Sequence, residues 1–413
     1  MITQTTGSDA WWRSKHGPEW LCESEGTCHV SFWWRDPAGT EATSAVRRVW
    51  IYITGVTDHH QNARPQSLTR IAGTDVWHWQ TELAAGWRGS YCFVPSAKEE
   101  DFAAAVFTGE HPDRLALREG WGKLLPLAIA DPLNPQSWKG GRGHAVSALE
   151  LPLAPQQPGW SSPDEPYHPP HSIEWQSQRL GNRRRVWIYT TGDDDANAER
   201  PLAILLDGQF WAQSMPVWPA LAALTREGKL PPAVYLLIDV IDTAHRSREL
   251  PCNADFWQAV MHELLPQAKA LAPFSDKPDR TIVAGQSFGG LASLYAGLHW
   301  PERFGCVLSQ SGSYWWPHRG AQQDGTLIEQ VKRGEVSATT LRIVLEAGQR
   351  EPTIFRANQA LLSCFSQLPP QKQPTVYWRQ VDGGHDALCW RGGLTLGLIT
   401  LWQPLMQDLH DRS

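Results

Sequence analysis

The sequence predicts a two-domain protein: a β-sandwich-like domain over residues 1–155, followed by an α/β domain over residues 156–413. Two observations lead to this prediction. Short alternating strands fill the first part of the chain, whereas near-continuous apolar strands alternate with helical stretches in the second part. Between them, seven of the twenty residues 151–170 are proline, which is typical of a semi-rigid linker.

Composition and charge exclude several classes of protein. At 413 residues, with 41% apolar and 19% charged side chains, the chain is a globular protein for which two domains are expected. The net charge of −6 argues against a general nucleic-acid binder. No run approaches the roughly 18 apolar residues of a membrane span. The first ten residues lack the basic and apolar regions of a signal peptide, so we expect no secretion signal.

The cysteines indicate a reducing environment. There are seven, at positions 22, 28, 92, 252, 306, 364 and 389, and none forms a Cys-x-x-Cys pair. Neither a zinc framework nor a dense disulfide scaffold is indicated. We therefore expect a cytoplasmic location, where thiols stay reduced.

The N-terminal domain is predicted to be all-β. Apolar and polar residues alternate in several short segments that Gly, Asp and Asn clusters separate; these segments are residues 27–34, 46–53, 75–80 and 89–94. Several short alternating strands with turn signals between them favour a sandwich.

The C-terminal domain is predicted to contain a mostly parallel sheet. Its apolar runs are short enough to be buried strands, and they cover residues 183–190, 202–207, 233–240, 281–284, 306–309 and 341–345. Amphipathic stretches lie between them; in residues 256–265 the apolar positions repeat with the period of a helix. Strands that are apolar throughout are typical of a sheet covered by helices on both faces.

Residues 285–290 (Gly-Gln-Ser-Phe-Gly-Gly) are the strongest functional signal. They stand between an apolar strand and a helical stretch, which is the setting of the nucleophile elbow in α/β-hydrolases. Glycines flank the turn because it is too sharp for side chains, and Ser287 is expected in strained backbone with its hydroxyl exposed. The alternative is an ordinary serine in a glycine-rich turn. We therefore predict an α/β-hydrolase domain with Ser287 as nucleophile.

A serine nucleophile needs a base, and His385 is the candidate. It follows two glycines after the strand-like residues 375–379, and histidine comes last in the chain order serine, acid, histidine. The alternative is a surface histidine on a loop.

The acid is expected after the strand at residues 341–345. We prefer Glu351, because Pro352 can open a helix there and leave the carboxylate near its N-terminus. Glu346 is nearly within the strand, and Asp382 and Asp386 are too close in sequence to His385 to align easily with its ring. A site without an acid remains an alternative.

Two backbone N–H groups are expected to hold the oxyanion. Phe288, directly after the serine, supplies one. The loop at residues 206–211 follows an early strand, where Gly208 permits close backbone approach and Gln209 would supply the second N–H. The alternative is that Asp207 and Gly208 form only a turn.

Basic and aromatic residues follow two other strands. Arg246 and Arg248 could bind an anionic substrate, although Arg248 could instead pair with Glu249. Tyr314, Trp315 and Trp316 could stack on a ligand or pack against the other domain. The chain has 23 tryptophans, and this surplus suggests a flat aromatic surface for an aromatic or sugar-like ligand.

The chain resembles the enterochelin (ferric enterobactin) esterase family, which is similar to the esterase D group of hydrolases. The resemblance covers the whole chain and rests on five motifs: residues 131–135 (Asp-Pro-Leu-Asn-Pro), 206–212 (Leu-Asp-Gly-Gln-Phe-Trp-Ala), 248–257 (Arg-Glu-Leu-Pro-Cys-Asn-Ala-Asp-Phe-Trp), 285–290 and 383–386 (Gly-Gly-His-Asp). The motif at residues 248–257 is far more specific than the elbow.

This resemblance implies a cytoplasmic enzyme that hydrolyses the trilactone of a catecholate siderophore and releases 2,3-dihydroxybenzoylserine. It implies that Ser287 and His385 act with an acid near Glu351. Iron would enter as part of the substrate, so neither a cofactor nor a protein metal site is expected. Alternatives are an esterase for a feruloyl or glucosylated catecholate ester, or a protein that only binds a siderophore or sugar.

Overall fold

The computed structural model of the protein describes residues 4–23, 25–109, 112–139, 144–193, 199–319 and 323–412. The chain divides into two compact units, one of Met1–Pro155 with Asp382–Cys389, the other of Gln156–Val381 with Trp390–Ser413. Each unit has its own eight-stranded sheet. Across the described ranges, no helix has both the length and the apolar character needed to cross a membrane.

The first unit is an antiparallel sheet with two short helices. Its strands are β1 (Glu19–Cys22), β2 (Thr27–Arg35), β3 (Arg48–Ile53), β4 (Gln66–Arg70), β5 (Val76–Ala84), β6 (Arg88–Ser96), β7 (Ser137–Lys139) and β8 (Ala145–Glu150), in the order β1-β2-β5-β4-β3-β6-β8-β7. The helices are α1 (Asp9–Arg13) and α2 (Arg114–Leu124). Cys22 and Cys28, opposite each other on β1 and β2, form a disulfide that the sequence did not predict.

Alternation along the strands explains the packing of this unit. Every second residue of β2 is buried, and these side chains share one core with inward residues of β3, β5 and β6. The other faces of β3 and β6 pack through Trp50, Tyr52 and Cys92 against Leu117 and Trp121 of α2. The two halves of the sheet thus enclose a common core, which confirms the predicted sandwich-like domain.

The second unit has a mixed, mostly parallel sheet. Its strands are β9 (His171–Ser177), β10 (Asn182–Thr190), β11 (Leu202–Leu205), β12 (Val234–Ile238), β13 (Thr281–Gln286), β14 (Cys306–Gln310), β15 (Arg342–Gly348) and β16 (Thr375–Val381), in the order β16-β15-β14-β13-β11-β12-β10-β9. The helices are α3 (Trp218–Arg226), α4 (Thr243–Glu249), α5 (Ala254–Ala259), α6 (Leu265–Leu271), α7 (Phe288–His299), α8 (Thr326–Lys332), α9 (Pro352–Ser366) and α10 (Ala387–Asp411).

The six strands β11 to β16 run parallel, and β9 and β10 are antiparallel additions at one edge. All residues of β11, β12, β13 and β14 are buried, as their apolar runs predict. Because parallel strands end at the same edge, the loops after β11, β13, β14 and β15 leave the sheet side by side. The predicted α/β-hydrolase domain is confirmed, and this edge carries the predicted site residues of the second unit.

Candidate active site

Ser287 occupies a strained turn between β13 and α7. Its backbone angles are φ 60° and ψ −122°, a region that non-glycine residues seldom adopt. The close chain approach explains the flanking glycines, because a Cβ on Gly285 would lie 2.4 Å from the carbonyl carbon of Gly289. The N–H of Ser287 donates to the carbonyl of Gln310 at 3.0 Å. The turn is therefore anchored to β14 at Ser287 itself.

A second serine lies next to Ser287. The Oγ atoms of Ser287 and Ser313 are 3.5 Å apart, and the N–H of Ser313 donates to the carbonyl of Ser287 at 3.2 Å. The sequence analysis singled out the neighbouring aromatic residues Tyr314, Trp315 and Trp316 but not Ser313. Its contact with Ser287 depends on how the turn after β14 folds back.

The loop at residues 206–211, named the oxyanion loop here after its predicted role, is pressed against β12. A Cβ on Gly208 would lie 2.4 Å from the amide nitrogen of Ile238, so only glycine fits. Asp207 has φ 50°, and the side chain of Gln209 accepts a hydrogen bond from the N–H of Val240 at 3.2 Å. Phe288 begins the twelve-residue helix α7. N–H groups at a helix N-terminus attract negative charge.

Arg246 lies beside this loop and binds Asp207 through two hydrogen bonds, of 2.9 and 3.0 Å. Its guanidinium also lies 5.5 Å from the ring centroid of Phe288 and donates to the carbonyl of Gln286 at 3.4 Å. The sequence suggested Arg246 as a substrate ligand. In the structure it joins the oxyanion loop to the elbow.

Arg248, on the same helix α4, is exposed. The sequence offered Glu249 as its alternative partner, but the Glu249 carboxylate binds Arg184 at 2.7 Å. Both charges of that pair are buried.

Tyr314 is a core residue, which corrects its prediction as a substrate contact. It is 1% exposed, and its hydroxyl bonds Ser309 Oγ at 2.6 Å and the carbonyl of Gly290 at 3.3 Å. Burial raises the pKa of this hydroxyl. The turn directs the side chain into the sheet, a direction that the run of three aromatic residues does not specify.

Trp315 and Trp316 are both partly buried. The ring of Trp315 lies 6.1 Å from that of Phe288 and 4.2 Å from the guanidinium of Arg319, measured between centres. Trp316 packs on the core of the second unit. Of the predicted aromatic trio, Trp315 thus has the ring next to the elbow.

Glu351 is fully buried immediately before α9. Its Oε2 accepts hydrogen bonds from the N–H of Gly348 and the hydroxyl of Ser311, each at 2.8 Å. Ser311 in turn accepts from the indole of Trp390 at 2.9 Å. These contacts fix the orientation of the carboxylate. Ser311, which the sequence did not single out, is therefore part of the setting of the predicted acid.

Glu346, the alternative acid, has different partners. It accepts from the side-chain amide of Gln310 at 2.8 Å and from Arg379 at 3.0 Å. Burial raises its pKa to about 7, although Arg379 and Gln310 favour the charged form; the nearby Glu351 raises it further.

His385 belongs to the segment Asp382–Cys389, which packs with the first unit. Its ring centroid lies 5.5 Å from that of His60, and the rings of His60 and His59 are 4.1 Å apart. The hydroxyl of Tyr52 hydrogen-bonds Nδ1 of His59 at 2.7 Å. The sequence reasoning missed this histidine cluster, and the adjacent pair His59-His60 was the available signal.

The backbone around His385 is tightly held. A Cβ on Gly384 would lie 2.6 Å from the amide nitrogen of Gly55. Asp386 is buried and accepts from the N–H groups of Ser90 at 2.6 Å and Leu388 at 3.0 Å; burial raises its pKa. Among the residues that the structure describes, no group of three or more His, Cys, Asp or Glu side chains is arranged to hold a metal ion.

A strained serine between a buried strand and a helix, with a glycine-dependent loop at the same sheet edge, defines the second unit as a serine hydrolase of the α/β-hydrolase class. Residues 29–160 match the family described as "Enterochelin esterase, N-terminal", and residues 177–401 match "Putative esterase". The chain belongs to the iron(III) enterobactin esterase family.

Three relatives illustrate the match. The iron(III) enterobactin esterase of Escherichia coli O6:H1 (strain CFT073) is 68% identical over 413 residues, covering all of both chains. A crystal structure of the Shigella flexneri enterobactin esterase, obtained in the presence of enterobactin, has 67% identity and a TM-score of 0.88. That of the Salmonella typhimurium ferric enterobactin esterase has 66% identity and a TM-score of 0.91. Each alignment covers 97% of this chain and 100% of the solved one.

Proposed function

We propose that this chain is a serine esterase that hydrolyses the seryl ester bonds of ferric enterobactin in the cytoplasm. The products are 2,3-dihydroxybenzoylserine units, and their release allows the iron to be recovered. The observation that carries the proposal is the strained nucleophile elbow at Ser287, with φ 60°, in a chain of this family. Iron enters with the substrate, and the reaction needs no cofactor.

In the first half of the reaction, Ser287 Oγ attacks the carbonyl carbon of one seryl ester while His385 takes the hydroxyl proton. Negative charge develops on the carbonyl oxygen, where the N–H groups of Phe288 and Gln209 stabilise it. The tetrahedral intermediate then expels the side-chain oxygen of the neighbouring seryl unit. That oxygen takes the proton from His385, and the acyl group stays on Ser287.

In the second half, water attacks the acyl-enzyme. His385 takes a proton from the water, the same N–H groups hold the new oxyanion, and Ser287 leaves with the proton from His385. The product is a free carboxylic acid. One such cycle opens the trilactone to the linear trimer, and three cycles hydrolyse all three ester bonds. Glu351 is the acid that orients His385, consistent with its burial and its fixed carboxylate.

Ferric enterobactin is anionic and aromatic, so its recognition requires cations and flat rings. Arg248 is exposed and supplies the cation; Trp315, beside Phe288, supplies a ring next to the nucleophile. Trp316 is a weaker candidate because it packs on the core. Arg246 acts indirectly, because its guanidinium binds Asp207 of the oxyanion loop.

The test is the replacement Ser287→Ala, followed by chromatography of the products from ferric enterobactin. We expect release of linear trimer to fall by at least about 10³-fold, since nucleophile removal in serine hydrolases has effects of that size or larger. Ser337→Ala, at an exposed position outside the site, is the matched serine control. Normal release of linear trimer by Ser287→Ala would refute the proposal.

Two further measurements separate the alternatives. Inertness of the wild type to a fluorophosphonate probe would indicate a protein that only binds its ligand. Rates on ferric enterobactin, iron-free enterobactin, feruloyl esters and glucosylated catecholate esters would identify the preferred ester. The proposal requires the highest kcat/KM on the enterobactin forms.

A further inference from the structure

Four polar side chains form a row across the carboxyl ends of β13, β14, β15 and β16. In the strand register, Gln286 is opposite Gln310, Gln310 opposite Glu346, and Glu346 opposite Arg379. Gln286, Gln310 and Glu346 are only 3%, 0% and 2% exposed. The row lies immediately before the catalytic elbow, since Gln286 precedes Ser287.

Hydrogen bonds connect the row from end to end. The indole of Trp211 donates to Gln286 Oε1 at 3.0 Å, and Gln286 Nε2 donates to Gln310 Oε1 at 2.9 Å. Gln310 Nε2 donates to Glu346 Oε2 at 2.8 Å, and Arg379 donates to Glu346 Oε1 at 3.0 Å. We name these five residues the polar ladder.

The two ends of the polar ladder determine its direction. Trp211 and Arg379 can only donate hydrogen bonds. The oxygen of Gln286 must therefore face Trp211, which turns its amide nitrogen toward the oxygen of Gln310 and the nitrogen of Gln310 toward Glu346. A chain with donors at both ends needs one residue that accepts from both sides. Glu346 is that residue, and a carboxylate is the side chain that fits.

The backbone of the ladder residues holds the catalytic loops. The carbonyl of Gln310 accepts from the N–H of Ser287 at 3.0 Å, and the carbonyl of Glu346 accepts from the N–H of Ser311 at 2.8 Å. Trp211 ends the oxyanion loop. Side-chain bonds between neighbouring strands therefore link the oxyanion loop, the elbow and the turn that holds Glu351.

Helix α10 leaves space for this row. A Cβ on Gly393 would lie 2.1 Å from Glu346 Oε1 and 2.6 Å from Gln310 Nε2. Burying a carboxylate also costs more free energy than burying an apolar side chain of similar size, so a sheet needs no such row for stability alone. Both features indicate a role beyond packing.

We propose that the polar ladder is a positioning device that sets the oxyanion loop relative to Ser287, with Glu346 as its central positioning residue. This inference rests on the proposed function, because it concerns the geometry of the same reaction. Glu346 acts through Gln310, Gln286 and Trp211, and it need not touch the substrate.

The test replaces Glu346 with glutamine and measures kcat, KM and the rate of fluorophosphonate labelling at about pH 8, where the wild-type carboxylate is charged. Gln310 and Arg379 both donate to position 346, whereas an amide there can accept on one side only. Its N–H₂ group therefore faces one of the two donors, and one hydrogen bond of the ladder is lost. We expect kcat and the labelling rate to fall about 10-fold or more, with KM changed by less than about two-fold. If the row only stabilised the fold, Glu346→Gln would lower the melting temperature and leave kcat and the labelling rate unchanged.

The double variant Glu346→Gln/Arg379→Glu restores an alternating series of donors and acceptors. We expect it to recover most of the lost kcat, whereas Arg379→Glu alone places two carboxylates side by side and should not. If Glu346→Gln fails to fold, Trp211→Phe removes the donor at the opposite end and should also lower kcat. A folded variant with wild-type kcat and labelling rate would overturn the inference. If the wild type reacts with the fluorophosphonate but does not open enterobactin, the substrate assignment is refuted. The labelling rates of wild type and Glu346→Gln then still decide whether the ladder positions the elbow.

Discussion

Replacing Gly208 with alanine should impair catalysis while leaving substrate binding nearly intact. Gly208 lies in the oxyanion loop, where its backbone meets that of Leu237 and Ile238 with no intervening side chain. The N–H of the next residue, Gln209, is the proposed second oxyanion donor. A methyl group at position 208 must move this donor.

Backbone contacts of the loop set the size of this movement. The new Cβ would lie 2.4 Å from both the Ile238 nitrogen and the Leu237 carbonyl carbon, and these backbone atoms belong to a buried strand that cannot yield. Ordinary contacts begin near 3.4 Å, so the loop must retreat by about 1 Å. A displacement of that size, or the loss of one oxyanion donor, lowers kcat by about 100-fold.

The assay is steady-state hydrolysis of ferric enterobactin by Gly208→Ala, with circular dichroism to verify folding. Gly122→Ala is the matched control, because a Cβ there meets nothing within 4 Å on the exposed face of α2. It should keep wild-type kcat and gain up to about 1 kcal/mol of stability from helix propensity. A folded Gly208→Ala enzyme with kcat within about three-fold of wild type would show that this loop does not hold the oxyanion.

Three further predictions concern the same sheet edge. The pKa of Glu346 is raised from 4.5 to about 7, so its contribution to stability is complete below about pH 4.5 and is lost as pH rises through 7. In urea unfolding between about pH 5 and 8, the wild type should lose about 2–3 kcal/mol of stability relative to Glu346→Gln; a stability difference between the two proteins that does not change with pH would contradict this. Tyr314→Phe leaves the Ser309 hydroxyl without its partner, so thermal unfolding should show a loss of about 1–2 kcal/mol with unchanged KM, whereas a several-fold rise in KM would place the ring in the substrate site. Arg246→Met releases Asp207, so kcat should fall about 10-fold, and a rise in KM alone would instead identify Arg246 as a substrate ligand.

Several features could be predicted from the sequence because they are determined locally. The elbow requires a strand, a sharp turn flanked by glycines and a helix, all within consecutive residues, and the strain of Ser287 follows from that turn. Hydrophobic periodicity likewise separated an alternating sheet in the first unit from buried parallel strands in the second. The position of Glu351 before α9 followed from Pro352, which opens that helix.

The remaining features depend on contacts between distant parts of the chain. Whether Arg246 points to solvent or to Asp207, and whether Tyr314 points outward or into the sheet, is decided by how loops return over the strand ends. The segment Asp382–Cys389 belongs to the first compact unit, although in the sequence it lies between parts of the second.

The polar ladder is the clearest case of a feature that depends on contacts between distant parts of the chain. The sequence contains Gln286, Gln310, Glu346 and Arg379 as isolated polar residues near the ends of predicted strands, separated by between 24 and 36 positions. Only the register of the folded sheet puts them side by side, because one residue of slip would turn each side chain to the opposite face. The sequence by itself determined the strand–turn–helix elbow at Ser287 and the fold that carries it, whereas the tertiary structure decided which buried partners hold Ser287 in place.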